Sequence, residues 1–454
     1  MIAVVSLAGC ATRAPLVATA PVVEVPTSWA ASASAAPGGA PANAQWWRGF
    51  GDEALSQAVE AALTANTDVA IAQANLRRAR ALRDVAVAGG RPTLGASASV
   101  QRTTGSGSRN LFDAGFDAAW EPDLFGGTGH TVAAAEADAR ASALTLDALR
   151  VSLAAEVAAD VVSLRSTRAR LVIARANLAA QEETLQIARW REQAGLASSL
   201  EVAQARTSVE QTRAQLPVLQ ASAAQTRHAL AVLMGRTPQS LDAAWPGDAP
   251  LPQPPAAIAA DMPAQVLRQR PDVRTAEAQW LAAAERVAQA DAARRPTLAL
   301  RASAAWNGAT LGSLGSAGAL TTLLASLTQP LFDAGQRKAQ LSAQEAAFDA
   351  ARENYRASVL VALKDVEDAF SALDGARQRL TALRDAEASA ADAALLASQR
   401  YASGIVDFQT VLDTQRNRLA AQDGAAVAQA DWLTAHVRLF KALGGGWRDE
   451  AHSP

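Results

Sequence analysis

The side chains able to do chemistry are few, and none of them stand together. The 454-residue chain holds one cysteine, Cys10, and four histidines, His130, His228, His436 and His452. No histidine lies near another or near the cysteine, so the short ligand spacings of a zinc site are missing. A single thiol excludes an internal disulfide and a cysteine-based metal cluster. Gly126-Gly127-Thr128-Gly129 lacks the lysine and the spacing of a phosphate loop and reads as a bend from strand to helix. Gly444-Gly445-Gly446 reads as a helix terminator. No serine, histidine and aspartate form a nucleophilic set. These residues argue against an enzyme and require no cofactor. A formal net charge of -2 gives no electrostatic footing for nucleic acid.

The chemistry left to Cys10 is acylation. The residue follows Leu7-Ala8-Gly9 and a short apolar run from Ile2, and an Ala-, Pro- and Ser-rich tract continues to about Asn43. Small residues before the thiol admit a peptidase, and the thiolate can form a thioether. The arrangement resembles a bacterial lipoprotein signal over 1–9, which implies a covalent lipid on Cys10 and a linker over 10–45. A chance string, or a buried cysteine, is the alternative. No Lys or Arg precedes the apolar run, so either the start codon lies upstream or the signal is impaired. Residue 11 is Ala rather than Asp, which for such signals implies sorting to the outer membrane.

The elements that position the rest of the chain are duplicated. Asn66-Thr67-Asp68-Val69 is echoed by Arg270-Pro271-Asp272-Val273, and Arg91-Pro92-Thr93-Leu94 by Arg295-Pro296-Thr297-Leu298, both 204 residues on. Pro122-Asp123-Leu124-Phe125 corresponds to Pro330-Leu331-Phe332 at 207 to 208. Gly195 pairs with Gly404 and Val202 with Val411 at 209, and Leu233 with Leu443 at 210. The ordered drift describes one duplicated unit with small insertions. The first copy covers 46–235 and the second 264–446. A linker over 236–263, with seven prolines from Pro238 to Pro263, joins them, and 447–454 forms a tail. Each copy predicts a moderate helix (about 53–88 and 264–294), a strand pair (about 92–125 and 296–332), then two long helices around a Gly-containing turn (about 130–235 and 336–443).

No proline occurs from Asp123 to Leu216 or from Leu331 to Ser453. Val157, Leu164, Leu171, Leu178 and Leu185 recur every seven residues, as do Val359, Val366, Leu373 and Leu380, with Leu363 and Phe370 as a companion seam. Sustained heptads indicate coiled-coil packing. A helix over 132–192 would be roughly 90 Å long at ~1.5 Å per residue, more than a compact domain needs.

Between the helices the period falls to two. Leu94, Ala96, Ala98 and Val100 share a face, as do Phe112, Ala114, Phe116, Ala118 and Trp120, and then Leu298, Leu300, Ala302, Ala304 and Trp306. The fourth run, Leu320 to Phe332, is apolar but alternates poorly. Strands of about 9 to 11 residues cross a bilayer when tilted. One greasy and one polar face suit lipid outside and water inside. Trp120 and Trp306 serve equally as core aromatics or as belt residues at a membrane surface. Four strands cannot close a barrel, and open edges in lipid are costly, so the chain should oligomerise. A sheet packed on helices outside the membrane is the alternative.

These residues resemble the TolC-like outer-membrane efflux factors, in particular the NodT-like lipoprotein branch. The likeness runs from Trp46 onward. It is carried by Trp46-Trp47 through Phe50 and Leu55, by the Pro–Leu-Phe entries to the long helices, and by Arg400-Tyr401-Ala402-Ser403-Gly404 with Val411-Leu412-Asp413-Thr414-Gln415 behind it. The resemblance implies a mainly α fold with transmembrane β strands. It implies a homotrimer with a twelve-stranded β-barrel in the outer membrane of a Gram-negative cell, continued by a periplasmic α-helical barrel and girdled by an equatorial belt. The implied partners are outer-membrane lipid, a periplasmic adaptor (membrane fusion) protein and an inner-membrane efflux pump of the RND type. The implied task is passive export of small toxic compounds. The exit duct of a type I protein secretion system is the alternative on the same fold, and a periplasmic coiled-coil interaction protein the alternative outside it.

The family gate lies where the long helices turn, here near Gly195 and Gly404. Tyr401 matches the gate tyrosine and Asp413 a pore-lining aspartate, which would form a carboxylate ring in a trimer. Thr410 stands where a second acidic ring would lie and Val406 where a basic latch would lie, with Asp407 as a substitute charge.

Overall fold

The structure is a computed structural model that describes residues 23–30, 45–105, 108–242, 245, 250–255, 263–316 and 318–445. Cys10, His452 and the tail over 447–454 lie outside the described residues. The chain divides into two compact units. One takes residues 74–144 and 272–358, the other 24–73, 145–271 and 359–454, with 1–23 assigned to the first. Each unit therefore draws on both copies.

The copies share one plan. In the first, α1 (Glu53–Ala65) and α2 (Thr67–Gly89) lead to β1 (Thr93–Thr103), β2 (Arg109–Trp120), α3 (Gly127–Gln193) and α4 (Ser199–Leu233). In the second, α5 (Pro263–Gln269) and α6 (Pro271–Ala292) lead to β3 (Thr297–Gly308), β4 (Leu320–Thr328), α7 (Gln336–Ala402) and α8 (Phe408–Ala442). α3 and α7 both have 67 residues, and α4 and α8 both have 35. The helices end at Leu233 and Ala442, so the offset stays at 209 and Leu443 answers to Met234 rather than Leu233.

The single moderate helix expected in each copy is broken in two. Asn66 has extended backbone at φ -64°, ψ 136°. Its side-chain oxygen accepts from the Asp68 N–H at 2.8 Å and the Val69 N–H at 3.3 Å, which starts a new helix instead of continuing the old one. In the second copy Pro271 opens α6. A proline tolerates the first helical position, and it pushes the residue before it out of helical geometry. Both break residues then reach the same place. Asn66 Nδ2 donates to the Leu233 carbonyl at 3.0 Å and Arg270 donates to the Ala442 carbonyl at 3.0 Å, each satisfying the open end of a 35-residue helix.

The heptad residues Val157, Leu164, Leu171, Leu185, Val359, Val366, Phe370 and Leu380 are buried, and Leu178, Leu363 and Leu373 are half-buried. In the second unit Trp46 stacks on Phe440 at 5.2 Å and meets Phe50 edge-on at 5.9 Å. Beside them Arg165 is buried against Asp52, donating to its Oδ1 at 3.0 Å and to the Pro250 carbonyl at 2.8 Å. Arg168 donates to the Trp245 carbonyl at 2.7 Å. The segment ahead of α1 thus packs on the end of α8, and Arg165 of α3 joins the α1 cap to the linker. In the first unit Trp280 stacks on Phe348 at 6.2 Å and Tyr355 at 5.8 Å.

The sheet runs β1-β2-β3-β4, antiparallel throughout. The fourth strand stops at Thr328 rather than Phe332, and the second at Trp120. Leu331 and Phe332 lie beyond the strand and are almost fully exposed.

Candidate functional site

Register settles the two faces of the sheet. Leu94, Ala96, Ala98 and Val100 pair with Ala118, Phe116, Ala114 and Phe112, and those in turn with Ala302, Ala304, Trp306 and Gly308. Leu298, Leu300 and Ala302 pair with Leu327, Ala325 and Leu323. Partners in an antiparallel ladder share a face. The fourth run, which reads poorly alone, therefore does alternate: Leu323, Ala325 and Leu327 join the apolar face, while Thr322, Ser326 and Thr328 join the polar one. Leu324 and Leu320 are exceptions on the polar side, and Thr321 is one on the apolar side. Most of the apolar face is left open by the described chain, with Leu94 74 % exposed, Leu323 82 % and Phe116 50 %, while the loop after β3 reaches the Trp306 ring. Trp120 Nε1 donates to the Gly90 carbonyl at 3.1 Å and its ring stays accessible, as befits a residue at a polar–apolar boundary. The opposite face carries Ser97, Asp113, Asp117, Arg301, Ser303 and Asn307, with Ser97 donating to Asp117 at 3.1 Å.

The second region is the pair of helix turns. Gly195 and Gly404 have φ of 72° and 75°, where a side chain is disfavoured. Leu196 N–H reaches back to the Arg191 carbonyl at 2.7 Å and Ile405 N–H to the Arg400 carbonyl at 2.9 Å, the six-to-one closure that ends a helix at glycine. Ser198 caps α4 and Asp407 caps α8. Asp407 accepts from the Thr410 hydroxyl and from its N–H at 2.8 Å. These two bonds hold its carboxyl below the usual range. Asp407 and Thr410 are thus partners in one cap.

Tyr401 joins the two turns. Its hydroxyl donates to Glu201 Oε2 at 3.1 Å, its ring lies 5.4 Å from Phe408, and the Arg191 guanidinium sits 4.5 Å above it. Burial first, then the Glu201 bond, pushes its phenol above the usual range. Asp413 is exposed, accepts from Gln409 Nε2 at 2.9 Å and pairs with Arg416 at 3.5 Å. Sequence reasoning missed Arg191 and Glu201. A signal for Glu201 was present: Ser198-Ser199-Leu200-Glu201 has the serine-to-glutamate spacing of a capping box. Among the described residues no group of His, Cys, Asp and Glu could hold a metal, and no helix is long and apolar enough to cross a membrane.

A bilayer-length sheet with one greasy and one polar face, together with paired long hairpins pinned at their turns, defines a class, the subunits of export channels. The model of the family described as outer membrane efflux protein matches residues 58–236 and 262–445, and the chain belongs to that family. It is an outer-membrane efflux channel protein. The pyoverdine export outer membrane protein OpmQ of Pseudomonas putida is 34% identical over 99% of this chain and 97% of its own. The toluene efflux pump outer membrane protein TtgF of the same species is 32% identical over 91% of this chain and 88% of its own. The solved outer-membrane channel OprN superposes with a TM-score of 0.87 at 32% identity, covering 94% of this chain and 99% of the other. The mainly α architecture with a small β portion is shared with that solved channel.

Proposed function

We propose that three copies of this chain close a twelve-stranded barrel through the outer edges of β1 and β4 and form a passive duct for small organic molecules. The supporting observation is the sheet. Among the described residues its apolar face is largely uncovered and β1 and β4 each pair with a single strand, so in lipid the two outer strands need further strands to satisfy their backbone groups. The 67-residue helices, roughly 100 Å at ~1.5 Å per residue, suit a duct that continues into the periplasm. The cargo class follows relatives named for pyoverdine and toluene export. An adaptor protein and an inner-membrane pump of the RND type complete the path, and a lipid on Cys10 anchors the chain. The gate is the joined pair of turns, where the Tyr401–Glu201 bond ties one hairpin to the other and Asp413 faces the pore.

Native mass spectrometry of the detergent-extracted protein checks the assembly. A trimer is expected, and a monomer released from membranes without detergent sinks the reading. Asp413→Ala should raise single-channel conductance in planar bilayers, and unchanged conductance removes Asp413 from the gate.

A further inference from the structure

The hairpin bundle changes character along its length. At the turns Leu185, Ala188, Ala205, Val209, Phe408 and Leu412 form an apolar cluster. Further along, Leu171, Ala174 and Leu219 form another. On α3 the seam between them runs Ala174, Gln181, Ala188 at heptad spacing, so a glutamine occupies a position that its neighbours give to alanine. Gln181 is 4 % exposed and its Oε1 has no partner among the described residues. It faces Ser208 and Thr212 of α4, both buried. Together with Gln211, Gln215 and Arg416 they line a cavity of about 230 Å³.

The same stretch is where α3 meets α8 through polar groups. Gln415 Nε2 donates to Thr184 Oγ1 at 2.8 Å, and Asn177 Nδ2 donates to Gln422 Oε1 at 2.7 Å, seven residues away on both helices. Arg170 adds a two-pronged pair with Asp423 at 2.6 and 3.0 Å. Arg416 donates to Ser208 at 3.3 Å.

We propose that this layer is a water-filled hinge, about which the tips of the two hairpins part while the bundle beyond it stays packed. Three facts fit together. A buried amide oxygen without a partner is expensive unless water supplies the bond. The cavity sets amide, hydroxyl and guanidinium groups beside Leu419 and Ala420 and is far larger than the ~10–15 Å³ that one water needs. Amide and hydroxyl pairs exchange with water at little net cost, so separating α8 from α3 here is easier than separating the leucine and phenylalanine contacts on either side. The apolar cluster at the turns then moves as one piece, with Tyr401 and Phe408 carried on it. This hinge rests on the channel reading, which supplies the motion it serves.

Hydrogen exchange on the full-length protein in detergent needs no variant. Amides over 177–184, 210–215 and 415–422 should exchange about tenfold faster than those over 185–188 and 205–207, all of them inside their helices. Equal or slower exchange in the layer overturns the hinge. The second measurement replaces the amides of the layer with apolar side chains of similar size, Gln181→Leu and Gln415→Leu. Trimers of this variant should open about tenfold less often in planar bilayers than the parent. Parent-like opening by a folded variant also overturns the hinge. If the parent itself forms no channel, the channel reading fails, and the exchange pattern still decides the hinge.

Discussion

The two copies of the repeat have the same helix lengths and the same turns, yet they hold themselves together differently where the short helices meet the long ones. In the first copy the break residue is Asn66, a short neutral side chain with one bond to the Leu233 carbonyl. At the other end of α1 the first copy adds a buried ion pair, Arg165 with Asp52. In the second copy the break residue is Arg270, which contacts the carbonyls of Ala442 and Ala362 and the carboxylate of Asp365 by itself. The position 209 residues after Arg165 is Asp374, an acidic residue on the helix surface that pairs with Arg377. One architecture is therefore secured twice by different chemistry. Duplication conserved the places where carbonyls need donors, not the residues that supply them.

The largest effect should come from Arg165→Met. It leaves the Asp52 carboxylate buried and opposite a thioether, a loss of about 3–5 kcal/mol. Adding Asp52→Asn should restore most of it, because asparagine still caps α1 through the Leu55 N–H and carries no charge. Guanidinium unfolding in detergent reads both. If the double variant is no better than the single, the loss is one of packing and the pair is not what secures the first copy.

Next comes the direct contrast of break residues. Arg270→Ala removes a guanidinium that bonds two carbonyls and a carboxylate, and should cost about 3 kcal/mol. Asn66→Ala should cost about 1 kcal/mol, the scale of a lost cap. Equal costs would mean that the second copy does not depend on its arginine as proposed.

A third contrast is electrostatic. Asp160 on α3 has its pKa raised to about 6, by burial first and by neighbouring Glu156 second. The position 209 residues on is Ala369, so only the first copy bears this cost. The carboxyl titrates near 3.8 when unfolded, so the folded state binds the proton more tightly. Stability from this group is fully present below pH 3.8 and is lost as pH rises through about 6. Asp160→Asn should raise the melting temperature by a few degrees at pH 7.5, on the order of 2–4 °C, and leave it unchanged at acid pH. A rise at both pH values would assign the gain to something other than charge.

How much of this was legible follows from range. The 67-residue helices, the glycine turns and three of the strands show in the sequence because heptads, left-handed glycines and alternation are local patterns. The fourth strand was obscured by Leu320 and Leu324, and only its pairing with β3 reveals which side each residue takes. The breaks at Asn66 and Arg270 were read as helix, since their cause is partly remote: each side chain is used by a carbonyl more than 160 residues away. At the turns, Tyr401 and Asp407 stood out as residues, but the Glu201 and Arg191 that surround Tyr401 come from the other copy. The polar layer around Gln181 was hidden because the leucine heptad beside it is unbroken.

The smallest contrast lies at the turns themselves. Ser198 caps α4 through a single long contact of 3.4 Å to the Glu201 N–H. Asp407 caps α8 with a shorter bond to the Thr410 N–H and a second from the Thr410 hydroxyl, and its negative charge lies against the positive end of the helix. The start of α8 should therefore fray less than the start of α4, which leaves the second turn the stiffer of the two. Asp407→Ala should speed amide exchange over 408–411 several-fold, while Ser198→Ala should change 199–202 far less. Equal responses would show that the shared cluster of Leu185, Val209, Phe408 and Leu412, rather than the caps, sets the stiffness of both turns.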